Sequence, residues 1–171
     1  MKKIQLLALL VFAFNWGFSQ DNSRVDFIIK NLGVNVDGHF NTFSITSKFD
    51  TSNTLESIRG EITVKSIETG INSRDEHLLE EDYFNIKNHP KITLISKTIN
   101  KKSSNSYTVK ANLMIKGKTK LITIPITVSK TNSKRKISSE FEINRRDFDV
   151  GGGSLVMGKT VKIKVVHIES I

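Results

Sequence analysis

From residue 22 onward, apolar and polar residues alternate along most of the chain, so that every second side chain is apolar over short segments. This period of two is typical of a β-strand with one buried and one solvent-facing side. Eight segments show it: 24–30, 43–50, 58–66, 91–98, 106–116, 119–128, 137–143 and 161–168. Because their second faces are polar, we expect antiparallel strands rather than a parallel sheet buried on both sides. The last segment loses its alternation at Val166, which predicts a β-bulge.

Only one stretch has the features of a helix. In SRDEHLLEED, residues 73–82, Ser73 suits the N-cap position and acidic residues follow in the first turn. Leu78 and Leu79 would then face the protein interior. The sequence therefore predicts an all-β protein with one short helix in the 73–83 region.

Eight antiparallel strands can bury their apolar faces either in a two-sheet sandwich or in a closed barrel. An eight-stranded barrel has an interior that is either filled by side chains or wide enough for one small ligand. The alternation alone favours neither architecture, and it leaves open whether the interior is filled.

The N-terminus has the layout of a secretory signal peptide. A basic start, Met1-Lys2-Lys3, precedes the apolar run LLALLVFAF, and the small residues Gly17 and Ser19 suit cleavage after Ser19. We expect residues 1–19 to be removed and residues 20–171 to form one domain, periplasmic or secreted. The chain has no cysteine, so it has neither a disulfide nor a residue for lipoprotein acylation.

The chain of 171 residues is basic, with a formal net charge of +9 at pH 7. Its lysines are spread over the sequence, without the interleaved aromatic residues that stack on nucleic-acid bases. We therefore expect no nucleic-acid partner and a solvated basic surface. Contact of this surface with anionic lipid headgroups stays open, and so does the oligomeric state, a homodimer included.

Residues 153–160, GSLVMGKT, match the phosphate-binding pattern G-x-x-x-x-G-K-[ST] at each fixed position. Such a loop binds phosphate because a helix follows it and points its backbone N–H groups at the ligand. Here the alternating residues 161–165 follow instead and predict a strand. We therefore expect a glycine-rich connection between the last two strands, not a nucleotide site.

No residue pattern indicates catalysis or a bound metal. The four histidines lack the i, i+4 spacing of a helical metal site, and His77 with Asp75, Glu80 and Glu81 fits an ordinary exposed helix. There is no G-x-S-x-G motif and no cysteine nucleophile. We expect a protein that is not an enzyme and that has no metal and no cofactor.

Residues 66–96, SIETGINSRDEHLLEEDYFNIKNHPKITLIS, resemble the YceI family of exported lipid-binding proteins. Members of that family are similar to S-I-x-T-G-x-x-x-R-D-x-H-L, followed by an acid with two aromatics and P-x-x-x-F-x-S. The resemblance extends to residues 25–43, 107–117 and 143–148, and so covers about residues 24–168. The sequence departs from the usual family residues at Asn31, Leu94, Ala111 and Asp149.

The resemblance implies a lipocalin-like antiparallel barrel with a long apolar pore that binds a polyisoprenoid, an isoprenoid quinone or a similar lipid in the periplasm. It brings no catalytic residues. It implies a structural role for Arg74 and Asp75, as a capped and ion-paired helix start that closes one end of the barrel.

The apolar faces of the predicted strands supply candidates for the lining of such a pore. They are Phe27, Ile29, Phe40, Ile62, Leu94, Leu113, Ile115, Phe141, Ile143 and Ile163. Each of them fits plain core packing equally well. The alternative function is a filled barrel that acts as a stress-related or interaction protein through its basic surface. An unfilled interior would distinguish the two.

Overall fold

A computed structural model describes residues 23–131 and 133–171. The predicted signal peptide, residues 1–19, lies outside the described residues. The strands are β1 (Arg24–Asn31), β2 (Val34–Phe40), β3 (Phe43–Phe49), β4 (Leu55–Thr63), β5 (Ile67–Glu68), β6 (Lys91–Lys101), β7 (Ser106–Ile115), β8 (Lys118–Lys130), β9 (Lys134–Asn144) and β10 (Met157–Ser170). One α-helix, α1 (Asn72–Leu78), and the 3-10 helices Val64–Ser66 and Arg145–Phe148 complete the elements of this part of the chain.

All ten strands belong to one antiparallel sheet with the order β3-β4-β6-β7-β8-β9-β10-β1-β2-β5. Strands β1 and β7 are four places apart in this order, which is roughly 19 Å in a flat sheet. Nevertheless Val25 of β1 and Leu113 of β7 belong to the same buried cluster. The sheet therefore curls around its apolar face as a half-barrel, and β3 and β5 are its edge strands.

The predicted fold class, an antiparallel all-β protein with one short helix, is confirmed, but the predicted count of eight strands is wrong. The two additional strands are β2 and β5. In β2, VNVDGHF, a glycine takes one inward position and weakens the apolar pattern. Strand β5 has only two residues, which pair with His39 and Phe40 and are too few to show a period.

Two details of the strands differ from the prediction. Strand β4 ends at Thr63, because the chain turns into a 3-10 helix at Val64 and buries that side chain. The predicted bulge at Val166 is wrong: β10 pairs with β9 in unbroken register through this residue. Strand β10 does take part in a register shift, but with β1 and near its other end, between Ile29 and Asn31 of β1.

The helix is shorter than the predicted region, and its start is built differently. It ends at Leu78, and Ile71 rather than Ser73 is the N-cap residue, with no side-chain capping bond. Asp75 accepts a hydrogen bond from the backbone N–H of Thr69 at 3.0 Å, and Nε of Arg74 donates to the Thr69 hydroxyl at 2.7 Å. The expected ion pair of Arg74 with Asp75 is thus replaced by the attachment of both side chains to Thr69.

The buried residues form two clusters at opposite parts of the curled sheet. The first contains Phe40, Leu113 and Phe148 and packs against α1 and the turns after it. The second contains Leu55, Tyr107 and Ile126 and lies beneath the hairpin that joins β3 and β4. These clusters mark the two ends of the interior.

Candidate functional site: an apolar cavity inside the curled sheet

The inward faces of the strands enclose a cavity of about 230 Å³. A space of roughly 10–15 Å³ by such a measure holds one water molecule, so the interior is far from filled. The wall includes Phe40 and Leu113 of the first buried cluster and Ile126 and Ile137 of the second. The cavity therefore extends along the interior from one end of the half-barrel towards the other.

All ten residues predicted as pore lining lie on the wall of this cavity: Phe27, Ile29, Phe40, Ile62, Leu94, Leu113, Ile115, Phe141, Ile143 and Ile163. They come together because each sits on the inward side of its strand, where side chains point the same way at every second residue. For example, Phe27 pairs with Ile163 and Ile163 with Phe141 across three neighbouring strands. Contact of these residues with a ligand stays a prediction.

The sequence analysis missed part of the wall. The following strand residues alternate like those predicted and could have been found by the same signal: Val25, Ile45, Ile58, Ile92, Ile124, Ile126, Ile137, Val161 and Val165. A second group lines one end of the cavity from outside the strands and includes Leu78, Tyr83, Phe84, Phe148 and Val150. Phe84 packs edge-on against Phe40, with ring centroids 6.5 Å apart. No periodicity marks this second group, since it lies on turns and short helices.

Arg145 is a buried charged residue at the same end, only 2% exposed, and was not predicted. Its five N–H groups all donate to backbone carbonyls of the following loop and the start of β10, those of Val150, Gly152, Ser154, Met157 and Gly158, at 2.7 to 3.5 Å. Burial, with a smaller contribution from the nearby positive charge of Arg146, lowers the pKa of its guanidinium. Because every donor is used, this guanidinium fixes the loop rather than offering hydrogen bonds to a ligand.

The glycine-rich stretch forms this loop, as predicted. Gly151 and Gly152 have φ values of 69° and 49°, which glycine adopts without strain. Thr160 lies within β10, so a strand and not a helix follows the residues that match the phosphate-binding pattern. The structural context that would let this pattern bind a nucleotide is therefore missing.

A cluster of polar side chains lies at the other end of the interior, near the β3–β4 hairpin. Buried Arg135 donates to Glu169 at 2.6 Å, and its guanidinium lies 3.6 Å from the centre of the Phe49 ring. The other oxygen of Glu169 accepts a hydrogen bond from Ser47 at 2.7 Å. Burial raises the pKa of the Glu169 carboxyl, but the hydrogen bonds from Ser47 and Arg135 outweigh it and hold the pKa below its ordinary value.

His167 belongs to the same cluster and lines the cavity. Its Nε2 is 3.6 Å from Glu169, and its Nδ1 is 3.3 Å from the hydroxyl of Ser23. Burial lowers the pKa of His167, and the neighbouring carboxylate counteracts this only in part. The imidazole is therefore held neutral at pH 7, so it adds no charge to the apolar wall.

Apart from a few further polar residues, among them Asn31, Ser44, Thr69, Arg74 and Ser139, the wall presents aliphatic and aromatic side chains. No buried side-chain N or O atom in the part of the chain that the structure describes lacks a hydrogen-bond partner. Residues 23–131 and 133–171 contain no group of three or more His, Cys, Asp or Glu side chains placed to hold a metal ion. Among the same residues, no helix has the length and apolar character needed to cross a membrane. The arrangement is suited to enclosing an apolar molecule.

Fold and cavity together define a hollow antiparallel β protein, and comparison with known proteins gives its family. The chain belongs to the family of the YceI-like domain, which matches residues 16–168. A UPF0312 protein of Staphylococcus epidermidis is 30% identical over 165 residues, 87% of this chain and 93% of that protein. The match to a UPF0312 protein of Pectobacterium atrosepticum is 34% identical but spans only 50% of that protein's length.

Two solved structures show the same fold. BcnA of Burkholderia cenocepacia superposes with a TM-score of 0.81 at 29% identity. The superposition covers 86% of this chain and 96% of the BcnA chain. A protein of Saccharophagus degradans, described as a polyisoprenoid-binding domain implicated in plant cell wall breakdown, has a TM-score of 0.70 at 16% identity. That likeness covers 87% of this chain and 94% of the other, and at this identity it supports the fold alone.

Proposed function

We propose that the protein binds one long apolar lipid of the isoprenoid type, a polyprenyl lipid or an isoprenoid quinone, inside the half-barrel. The observation that carries the proposal is the cavity of about 230 Å³ with its mainly aliphatic and aromatic wall. An interior that served only as a core would be packed to the density of organic crystals. An empty apolar cavity costs stability, and a ligand that fills it recovers that cost.

The chemistry of the wall supports a ligand with few polar groups. Burying one CH₂ group contributes about 0.8 kcal/mol, so a long hydrocarbon chain gains its affinity without directed hydrogen bonds. The donors of Arg145 and the carboxylate of Glu169 are already occupied by protein partners. The polyisoprenoid-binding domain of Saccharophagus degradans has the same fold, so this fold is compatible with a ligand of that class.

In this proposal the protein carries, stores or sequesters the lipid outside the cytoplasm and catalyses no reaction. Export rests on the predicted signal peptide of residues 1–19. The alternative of a filled barrel that acts only through its basic surface is disfavoured by the unfilled interior.

Titration of the purified protein with a long-chain polyprenol and, separately, with an isoprenoid quinone tests the proposal. Native mass spectrometry should show a saturable one-to-one complex with at least one of them. A short prenyl alcohol, which leaves most of the wall uncovered, should bind at least tenfold more weakly because it buries fewer CH₂ groups. A protein mass that is unchanged by every lipid would overturn the proposal.

A further inference from the structure

Four exposed apolar residues cluster at the end of the half-barrel where the β1–β2 turn meets the loop before β10. We call them the apolar rim: Leu32, Val34, Leu155 and Val156, with exposed fractions of 74%, 68%, 99% and 53%. Apolar residues exposed singly are common, but a contiguous exposed group marks a site of contact with a protein, a ligand or a membrane.

The rim is continuous with the wall of the cavity. Asn31 and Met157 pair across β1 and β10, and both line the cavity. Leu32 and Val156 are the next residues along each segment, and the N–H of Leu32 donates to the carbonyl of Val156 at 2.9 Å. The rim is therefore the exposed continuation of the cavity wall at this end of the half-barrel.

The loop side of the rim is held in place rather than free to fold inward. Arg145 binds the carbonyls of Gly152, Ser154 and Met157, and Arg146 adds a hydrogen bond to the Ser154 carbonyl at 3.1 Å. The side chain of Leu155 is thus presented to solvent by a backbone with fixed hydrogen bonds.

The turn side of the rim is strained. Leu32 has a φ of 51°, in the left-handed region that Asn or Gly adopts in two-residue hairpin turns and that a bulky apolar residue avoids. A leucine here costs stability through its conformation and also exposes apolar surface. Strained positions of this kind gather at functional sites.

Three basic residues lie beside the rim. Lys30, Arg146 and Lys159 are exposed, and each adjoins a rim segment or the cavity wall beside it. None of the three forms an ion pair with a carboxylate of residues 23–131 or 133–171. Apolar side chains beside free basic residues suit a bilayer with anionic headgroups. The apolar side chains enter the boundary of the acyl chains, and the basic side chains contact the headgroup phosphates.

We propose that the apolar rim docks on an anionic membrane surface and that the lipid enters and leaves the cavity there. The proposal rests on the proposed lipid-binding function. It extends that function because an isoprenoid resides in membranes rather than in water. A membrane therefore explains why the exposed apolar group adjoins the cavity.

Binding to vesicles of phosphatidylcholine with and without phosphatidylglycerol tests the rim, measured by flotation for the protein and for Leu155→Ser and Leu32→Asn. We expect binding that depends on phosphatidylglycerol and falls about tenfold in each variant, since each loses a leucine that the membrane buries. The matched control is Leu121→Ser, on the outer face of β8, where the leucine is 64% exposed and belongs neither to the rim nor to the cavity wall. It should bind vesicles like the unmodified protein.

Two further measurements separate a membrane role from a structural one. Leu32→Asn should raise the melting temperature, because asparagine tolerates the left-handed conformation. Loading with polyprenol from detergent should be unchanged in both rim variants, while extraction of polyprenol from vesicles slows about tenfold.

Unchanged vesicle binding in both variants, or an equal loss in Leu121→Ser, would overturn the docking proposal. So would a change of oligomeric state in place of a change in vesicle binding, since the rim would then join two copies of the chain. If neither the unmodified protein nor the variants load polyprenol from detergent, the proposed lipid-binding function is wrong, regardless of the result of the vesicle-binding experiment.

Discussion

The ring of Phe27 lies directly over Gly38 of the neighbouring strand, within the wall of the cavity. A Cβ atom at position 38 would collide with the ring, including its Cε1 atom at 2.9 Å. The two residues are paired in the β1–β2 ladder, so the ring covers the backbone where β2 has no side chain. Phe40 packs against the same ring, with centroids 5.6 Å apart. The shape of this part of the cavity therefore depends on a glycine.

Gly38→Ala should lower the free energy of unfolding by about 1–3 kcal/mol, because the added methyl group displaces a packed ring. Gly60→Ala is the matched control on another inward-facing position. The nearest atom to a Cβ there is that of Leu94 at 3.9 Å, an ordinary contact. Its free energy of unfolding should change by less than about 1 kcal/mol. Urea denaturation measures both, and equal effects would show that the Phe27 ring does not constrain Gly38.

Gly60 also offers a way to fill the cavity without distorting the backbone. It lines the cavity between Ile58 and Ile62, and its φ lies outside the left-handed region. Gly60→Phe should place a ring in the cavity, weaken polyprenol binding at least tenfold and leave the protein folded. Gly60→Ala should bind like the unmodified protein. Undiminished polyprenol binding by folded Gly60→Phe would mean that the ligand does not occupy this cavity.

Stability should fall as the pH is lowered, through His167. Its pKa lies below the ordinary value of 6.5 in the folded protein, so the unfolded chain binds more protons from about that pH downward. The contribution is complete above pH 6.5 and is lost as the pH falls towards the lower pKa of the folded state. His167→Gln should therefore lose less stability between about pH 7 and about pH 5 than the unmodified protein.

Urea denaturation at a series of pH values measures this difference. The pKa of Glu169 is held below its ordinary 4.5, so this residue also stabilises the folded protein. That stabilisation is present above pH 4.5 and is lost as the pH falls below it. The loss through His167 begins near pH 6.5 and the loss through Glu169 only near pH 4.5, so the pH range between these values reports on His167. Identical pH profiles for His167→Gln and the unmodified protein above pH 5 would contradict the assignment.

Arg145→Lys should destabilise the protein by roughly 2–4 kcal/mol, because an ammonium group cannot replace five N–H groups directed at fixed carbonyls. Hydrogen exchange should speed up in residues 150–158 before it does so elsewhere. Arg146→Lys is the matched control: Arg146 is exposed and contributes one side-chain hydrogen bond, to Ser154, so its cost should stay below about 1 kcal/mol. Equal effects of the two variants would show that Arg145 does not organise the loop.

Period-two alternation was enough to predict most of the strands and to place ten residues that line the cavity, because facing the interior is the same physical constraint in each strand. It could not reveal β5, which has two residues, or the cavity-lining side chains Tyr83 and Phe84, which follow no period. Arg145 was missed because its neighbour Arg146 looks the same in sequence, and only the fold buries one and exposes the other.

The predicted cap at Ser73 failed for a related reason. Thr69 lies before the helix and binds both Arg74 and Asp75, a contact set by the path of the chain rather than by local capping preference. Whether the interior is filled also could not be read from alternation, since an inward-facing isoleucine packs a core and lines a cavity equally well.

The most direct test of the central claim is native mass spectrometry of the protein purified under mild conditions from the cells that produce it, with extraction and identification of any bound lipid. The account predicts one isoprenoid lipid per protein molecule and its loss in Gly60→Phe. A bare polypeptide mass that stays unchanged after incubation with polyprenol and isoprenoid quinone would contradict it.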